Sequence, residues 1–292
     1  MENYRKRKIN SYRLGVHTSI AGGISQAIAR AASLRCNTVQ IFSHNPRQWQ
    51  KTRIQPEEAE RFKILRQKYD INPVFIHASY LINLASLSDR VLKQSIGLLS
   101  YELMNADVLG VEYVILHTGS ARDENEKKAR HRAAKAITRA VGAKRYHASL
   151  LLENTAGEKG DITSSIQALA EIINTCNCDS IAGICIDTCH AFSSGYDLTS
   201  GEGIEKLFSE INRHIGIDKL KLIHVNDSKR PLGSGVDRHE HIGKGYIGIR
   251  GFKKILSDSR IVNVPMILET PKKEEEDDKK NLKRVFDMFS NR

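Results

Sequence analysis

The sequence lacks any long apolar run, and no stretch approaches the roughly 20 apolar residues that a membrane-spanning helix needs. Its first eight residues are basic, but no apolar segment follows them, so we expect a soluble tail rather than a secretory signal or a nucleic-acid-contacting arm. The five cysteines include no CxxC pair, and we expect reduced thiols. These absences predict a cytoplasmic protein with no membrane partner.

Acidic residues are too few to balance the basic ones: 34 Asp and Glu against 45 Lys and Arg give a formal net charge of +11. An enzyme of small neutral substrates has no need of this charge, whereas a polyanionic partner would use it for steering and phosphate contacts. The 292 residues, 40% of them hydrophobic, suit one large core. We expect one domain over residues 13–292, preceded by a basic extension over residues 1–12.

Eight short apolar runs recur along the chain, and each stops at a polar or metal-binding side chain. They cover residues 13–16, 38–42, 73–76, 113–116, 150–152, 184–186, 220–223 and 265–268. Such runs are typical of buried parallel strands, and the segments between them are long enough for helices. We predict helices over 23–33, 56–69, 89–108, 125–142, 163–175, 202–213, 249–257 and 275–289, with an N-cap for the fifth within residues 161–164. The pattern predicts an α/β protein with a (β/α)₈ TIM barrel.

The side chains that follow these runs are candidate metal ligands, because active sites of such barrels lie at the carboxyl ends of the strands. The glycine-rich stretch 232–251 adds further candidates and is predicted to be an active-site loop. The candidates are His77, His117, Glu153, Asp187, His190, His224, Asp237, His239 and Glu269. Nine ligands are enough for two or three ions, and mixed imidazole and carboxylate ligands suit zinc or manganese. Clustered ions of this kind cleave phosphate esters.

The remaining histidines and two cysteines are given other roles. At the same barrel mouth we expect His17, His44 and His241 to support the ligands or contact substrate. We expect Cys185 to be a small core residue and Cys189 not to bind metal. The histidines in or beside predicted helices are assigned no function: His131, His147 and His214.

Several motifs together resemble the endonuclease IV family of apurinic/apyrimidinic endonucleases. The three most similar segments are residues 151–157 (LLENTAG), 187–197 (DTCHAF continuing to GYD) and 224–229 (HVNDSK). Further similar segments are 77–84 (HASYLINL), 117–120 (HTGS), 237–243 (DRHEHIG) and 268–271 (LETP). They occur in family order and cover nearly the whole chain from Leu14. One departure is Ala78, since the family often has Asp after the first ligand histidine.

The resemblance implies a TIM barrel that holds three Zn²⁺ ions, with Mn²⁺ as a substitute. One ion would be held by His77, His117 and Glu153. A second would be held by Glu153, Asp187, His224 and Glu269, with Glu153 bridging. The third would be held by His190, Asp237 and His239. The resemblance assigns Glu153 and Glu269 as catalytic residues and assigns DNA contacts to two loops, through Arg47, Gln48 and Trp49 and through Tyr80 and Leu81.

The function expected from this resemblance is repair of double-stranded DNA containing abasic sites. A monomer would hydrolyse the phosphodiester 5′ to the lesion, leaving a 3′-hydroxyl and a 5′-deoxyribose phosphate, and would also trim blocked 3′ ends. One alternative is a metal-dependent sugar isomerase of the same barrel type, which two magnesium or manganese ions instead of three zinc ions would indicate. Another alternative is a non-catalytic protein that binds DNA lesions, for which binding without nicking would be diagnostic.

Overall fold

The computed structural model of the chain describes residues 12–121 and 124–290. In these ranges eight parallel strands form one barrel with helices around it, so the predicted single-domain TIM barrel is confirmed. Of the proposed extension over residues 1–12, only Tyr12 lies within the described residues. Its ring stacks on that of Phe289 with centroids 4.1 Å apart, which joins the two ends of the described chain. None of the described helices is both long and apolar enough to cross a membrane.

The barrel strands match the eight apolar runs. In chain order they are β1 (Leu14–Val16), β2 (Val39–Ile41), β3 (Val74–His77), β4 (Tyr113–Leu116), β5 (Ser149–Glu153), β6 (Ile181–Asp187), β7 (Leu220–His224) and β10 (Met266–Leu268). The hydrogen-bonded order is β1-β10-β7-β6-β5-β4-β3-β2. Two further strands, β8 (Asp227–Ser228) and β9 (His239–Glu240), form an antiparallel hairpin that the sequence did not predict.

The barrel closes between β1 and β2 through a narrow seam. Just after β1, His17 forms a parallel bridge with Gln40 of β2, and the amide of Thr18 donates a 2.8 Å hydrogen bond to the Gln40 carbonyl. At the other end of the seam, the Asn37 side chain accepts from the Leu14 amide at 2.8 Å. Only glycine fits at position 15, because a Cβ there would lie 1.9 Å from the carbonyl oxygen of the facing strand.

Helices occupy the intervals between the strands. They are α1 (Ser25–Ser33), α2 (Pro56–Lys68), α3 (Asp89–Leu109), α4 (Glu126–Val141), α5 (Ile166–Cys176), α6 (Thr188–Ser193), α7 (Gly201–His214), α8 (Gly248–Ser257) and α9 (Asp277–Ser290). All except the short α6 were predicted, with ends within three residues of those observed. The amphipathic α4 shows why: its buried face is formed by Ala129, Ala133, Ala136, Ile137 and Ala140, at helical spacing.

The predicted N-cap of α5 is wrong. The helix begins at Ile166, and its cap is Ser165, whose hydroxyl accepts a hydrogen bond from the Ala168 amide at 3.2 Å. Asp161 instead accepts from the amides of Gly157 and Glu158, at 3.0 and 2.9 Å, so it organises the preceding loop. The sequence offered several cap-forming residues, and only the true start of the helix distinguishes them.

Inside the barrel, one apolar cluster fills the space below the strand ends. It is made of Phe75, Ile115, Leu151, Cys185, Leu222 and Ile267. Each of these side chains is fully buried, and each comes from a different strand. The prediction that Cys185 is a core residue is therefore confirmed. A larger cluster packs the outer faces of the strands against the helices, so the barrel interior is solid beneath its carboxyl mouth.

Candidate metal centre

The six strands that carry this inner cluster also carry candidate ligands, two residues further on. Because side chains alternate between the two faces of a strand, a residue two positions later points the same way and lies one layer higher. Phe75 is thus followed by His77, and Leu151 by Glu153. The same spacing leads to His117, Asp187, His224 and Glu269. Six ligand candidates therefore converge above one apolar layer.

A first ligand group forms around one oxygen of Glu153. His117 Nε2 lies 3.1 Å and His77 Nε2 lies 3.5 Å from Glu153 Oε2, which is buried and has no hydrogen-bond partner among the described residues. His77 Nδ1 donates to the carbonyl of Ala78 at 2.7 Å, which leaves its Nε2 lone pair facing the carboxylate. The backbone carbonyl of Ala78 thus fixes the orientation of the His77 ring, and no acidic side chain is needed at position 78 for this purpose.

A second group shares Glu153 with the first. His224 Nδ1 lies 3.0 Å from Glu153 Oε1, 3.2 Å from Glu269 Oε2 and 3.9 Å from Asp187 Oδ2. One ligand atom of each of these four residues lies within 4.8 Å of the others. Three carboxylates surround one imidazole nitrogen in this arrangement, and a shared cation would neutralise their mutual repulsion.

A third group brings the hairpin to the barrel. Asp237 precedes β9 and places Oδ2 at 3.2 Å from His190 Nε2 and Oδ1 at 3.2 Å from His239 Nε2. The Nδ1 atoms of these two rings donate to the carbonyls of Asn154 at 2.9 Å and Glu269 at 3.0 Å. Both Nε2 atoms therefore face the Asp237 carboxylate, and both are buried without a hydrogen bond among the described residues.

The charges of these groups depend on one another. Burial acts to raise the pKa of Glu153, but His117 and His224 lower it well below its ordinary value. Burial acts to lower the pKa of His190, but the Asp187 carboxylate and Asp237 raise it well above its ordinary value. The site thus favours negative carboxylates with positive charge among them.

The residues fit divalent metal ions by two independent criteria. Glu153 Oε2, His190 Nε2 and His239 Nε2 are buried acceptor atoms without hydrogen-bond partners among the described residues, and a cation would satisfy each of them. The donor set of imidazole nitrogen and carboxylate oxygen is the one that zinc and manganese accept. The Cys189 thiol lies within ligand distance of Asp237 and His239, but burial raises its pKa to about 12, which opposes the thiolate form that binds metal.

Three buried amide side chains that the sequence analysis did not single out orient the ligands. Asn154 accepts from the amide of Asp187 at 2.7 Å, and Asn226 donates to Asp187 Oδ2 at 2.6 Å. Gln40 contacts both Glu269 and His224. Asn154 immediately follows Glu153, and Asn226 lies two residues after His224. This proximity to predicted ligands could have identified both residues from the sequence. Gln40 lies inside an apolar run, and its inward orientation follows only from the pairing of β2 with β3, which the sequence does not show.

A cavity of about 970 Å³ opens above the ligands and is lined by His77, His117, His190, Asp237, His239 and Glu269. Arg47 and Tyr80, two of the predicted DNA-contacting residues, also line it. The Tyr80 side chain is 64% exposed, and its ring lies edge-on to that of Phe42. The other three predicted contacts lie elsewhere: Gln48 is exposed beside the cavity lining, while Trp49 and Leu81 are half-buried against the barrel core.

The three histidines assigned supporting roles differ in position. His17 and His44 line the cavity, and each has a buried Nε2 without a hydrogen-bond partner among the described residues. His241 instead lies outside this lining and accepts at Nδ1 from Asn281 at 3.0 Å. His131, His147 and His214, which were assigned no function, contribute to none of the ligand groups.

A fully buried carboxylate, Glu102 on α3, connects the two loops that carry Arg47 and Tyr80. Its Oε2 accepts from the Ser43 hydroxyl at 2.5 Å, and its Oε1 accepts from the Ser79 amide at 3.2 Å. A helix residue on the outside of the barrel thereby holds both loops at the mouth. Nothing in the sequence indicated this role, because a glutamate in a helix is usually a solvent-facing residue.

Comparison with known proteins gives consistent matches over nearly the whole chain. A family model described as a xylose isomerase-like TIM barrel matches residues 28–291. A probable endonuclease 4 of Methanoculleus marisnigri is 40% identical over 276 residues, which cover 94% of this chain and 98% of the relative. A probable endonuclease 4 of Aquifex aeolicus is 37% identical over 278 residues, covering 95% and 98%.

Solved structures extend the comparison to three dimensions. The crystal structure of endonuclease IV from Thermus thermophilus aligns with a TM-score of 0.86 and 34% identity, covering 96% of this chain and 100% of that one. A D-tagatose 3-epimerase-like protein aligns with a TM-score of 0.70 and 20% identity, covering 95% and 98%. The second likeness concerns the barrel fold alone.

Proposed function

Because this chain belongs to the endonuclease IV family, we propose that it is a DNA repair endonuclease that hydrolyses the phosphodiester 5′ to an abasic site. The products are a 3′-hydroxyl and a 5′-deoxyribose phosphate, and the same chemistry trims blocked 3′ ends. The observation that carries the proposal is the convergence of three ligand groups on one cavity, with Glu153 common to two of them. A single chain contains all three groups, so the site needs no residue from a second subunit, and we propose a monomer.

The residues of the chain have distinct parts in this reaction. His77, His117 and Glu153 would hold one zinc ion. Glu153, Asp187, His224 and Glu269 would hold a second, and His190, Asp237 and His239 would hold a third. When bound, zinc supplies Lewis-acid stabilisation of the pentavalent phosphorus and an acidified water, and manganese can replace it. The carboxylates of Glu153 and Glu269 would offset the positive charge of the ions, since both lie near the same His224 nitrogen.

Recognition of the lesion belongs to the rim of the cavity. Arg47 is exposed at the rim and is free to pair with a phosphate, and the exposed ring of Tyr80 offers a face for stacking on a base. Gln48 extends the polar rim, while Trp49 and Leu81 fix the two loops by packing on the barrel. An abasic nucleotide enters the cavity more readily than an intact one, since it has no base to unstack.

Two other functions predict different observations. A sugar isomerase of this barrel type has no need for the hairpin that brings Asp237 and His239 to the mouth, and it binds two ions rather than three. A non-catalytic lesion-binding protein has no need for nine intact ligand residues. The hairpin is therefore the feature that favours a nuclease over an isomerase, and the ligand set favours an enzyme over a binding protein.

The test is incubation of the metal-loaded protein with a duplex that contains one abasic site, followed by mapping of both new ends. We expect a single nick 5′ to the site with a 3′-hydroxyl, loss of nicking in chelator and its recovery with zinc. An intact duplex of the same sequence is the control substrate. Isomerisation of a ketose without nicking would support the isomerase, and tight binding without nicking would support the lesion-binding protein.

A further inference from the structure

Gln40 is a fully buried polar residue in the middle of β2, between two apolar neighbours. It pairs with Phe75 of β3, and partners across neighbouring strands point to the same face of the sheet. Phe75 belongs to the inner apolar cluster, so Gln40 also points into the barrel. Its side chain lies among the ligands, within hydrogen-bonding distance of Glu269 and His224.

Each polar atom of the Gln40 side chain has a partner beside the second ligand group. Nε2 lies 2.5 Å from Glu269 Oε1 and 2.9 Å from His17 Nδ1, and Oε1 lies 2.7 Å from His224 Nε2. A carboxylate can only accept hydrogen bonds, so the amide atom that faces Glu269 must be the NH₂ group. The opposite orientation of the amide would place two acceptor oxygens 2.5 Å apart.

This orientation determines the proton positions on both histidines. Gln40 Oε1 can only accept, so His224 carries a hydrogen on Nε2, which leaves Nδ1 as the ring atom that would bind an ion. Nδ1 is the atom that faces Glu153 and Glu269, at 3.0 and 3.2 Å. The second amide hydrogen of Gln40 is donated to His17 Nδ1, so the hydrogen of that ring is on Nε2.

We propose that Gln40 is a positioning residue of the second ligand group, which fixes the tautomer of His224 and the orientation of Glu269 for metal binding. The inference rests on the metal site of the proposed function. Gln40 acts through hydrogen bonds alone and never contacts the ion. Residues that hydrogen-bond to a metal ligand typically contribute roughly 10–100-fold to metal affinity or activity.

The first test compares Gln40→Met, which keeps the length of the side chain and removes its hydrogen bonds, with Thr38→Val. Thr38 is a matched control, because it is also fully buried and immediately precedes β2, and its hydroxyl donates to the Pro73 carbonyl at 2.6 Å. We expect Gln40→Met to bind its most weakly held zinc roughly 10–100-fold less tightly in competition with a chelator. Thr38→Val should bind zinc like the wild type. Equal zinc affinity in Gln40→Met and wild type would overturn the proposal.

The second test observes the wild-type protein and therefore does not depend on whether Gln40→Met folds. In a nitrogen-15 spectrum of the histidine-labelled, zinc-loaded protein, His224 should carry its hydrogen on Nε2, with a metal-shifted Nδ1. The signal is assigned by its loss in His224→Asn. A hydrogen on Nδ1 of His224 would contradict the proposal.

Both tests measure metal and protons, so they are independent of the DNA reaction. If the wild type fails to nick abasic DNA but Gln40→Met still loses zinc, the proposed reaction is wrong and the role of Gln40 stands. If the wild type nicks and Gln40→Met keeps its zinc, the role of Gln40 is wrong and the reaction stands.

Discussion

Glu153 is fully buried, and its two oxygens face different ligand groups: Oε2 faces His77 and His117, and Oε1 faces His224. A residue with this geometry is expected to bridge two ions. Its position at the end of β5 lies above the inner apolar cluster, so the packing of the barrel does not depend on its charge.

We therefore predict that Glu153→Gln abolishes nicking while the barrel still folds. A bridging ligand should matter more than the roughly 10–100-fold typical of residues that only support ligands. The metal-free variant should melt at a lower temperature than the wild type but still unfold cooperatively, because an amide loses the attraction of His117 and His224 that stabilises the Glu153 carboxylate. Nicking, zinc content and melting temperature are measured together, with the exposed Glu60→Gln as control. Normal nicking by folded Glu153→Gln would remove this residue from the site.

Tyr80 allows a second prediction at the scale of one residue. Stacking of a base on an aromatic ring is worth about 1–3 kcal/mol by alanine substitution. Tyr80→Ala should weaken binding to the abasic duplex by this amount, and Tyr80→Phe should not, because phenylalanine keeps the aromatic ring that stacks on the base. Arg47→Ala should weaken binding as well, and zinc content should be unchanged in all three. If Tyr80→Ala lowers the melting temperature and leaves DNA affinity unchanged, Tyr80 only packs against its neighbours.

At the scale of elements, the loop between β7 and α8 depends on one buried carboxylate. Asp227 accepts hydrogen bonds from five backbone amides, those of Ser228, Gly243, Gly245, Ile247 and Gly248, at 2.9–3.4 Å. These bonds fold back the loop that contains the hairpin and carries Asp237 and His239. The third ligand group is therefore held in place by a residue that is not itself a ligand.

We predict that Asp227→Asn reduces the zinc content from three ions to two. An asparagine has one acceptor oxygen, so some of the five amides lose their partner, and each buried unpaired donor costs about 1–3 kcal/mol. The exposed Asp179→Asn is the control. Zinc stoichiometry by elemental analysis and the unfolding free energy provide the readout. Three tightly bound ions in Asp227→Asn would show that the loop is held by other contacts.

The elements also show which parts of the site the sequence could predict. Eight continuous apolar runs, six of them followed by a ligand candidate, predicted both the strands and the ligand ring, because a buried strand and the residue at its end are local features of the sequence. The hairpin β8–β9 and α6 could not be predicted, since both are short and depend on side-chain contacts. The hairpin depends on the bonds of Asp227, and α6 begins where Asp187 Oδ1 accepts from the His190 amide at 2.9 Å. Glu102 and Gln40 were missed because their partners lie 23 or more residues away in the chain, across the barrel mouth.

At the scale of the whole molecule, the charge of +11 should dominate the affinity for DNA. Each phosphate contact contributes a slope of about −0.9 in a plot of log affinity against log salt concentration. We predict a steep negative slope for the abasic duplex and a similar slope for an intact duplex, because phosphate contacts do not depend on the lesion. Fluorescence anisotropy over a range of salt concentrations provides the measurement. A slope near zero would show that the charge is incidental and would favour a small-molecule substrate.

The seam between β1 and β2 closes the barrel through an isolated bridge rather than a continuous ladder. Its bridge joins His17 to Gln40, and Gln40 also holds His224 and Glu269 in the second ligand group. Loss of metal should therefore weaken the hydrogen bonds between β1 and β2 before those between the other barrel strands, because the other strands keep continuous ladders. The amide of Thr18, which donates to the Gln40 carbonyl, should then exchange with deuterium much faster, while amides of β4 and β5 stay protected. Metal occupancy would thus determine how often the barrel opens between β1 and β2, in addition to its role in the reaction.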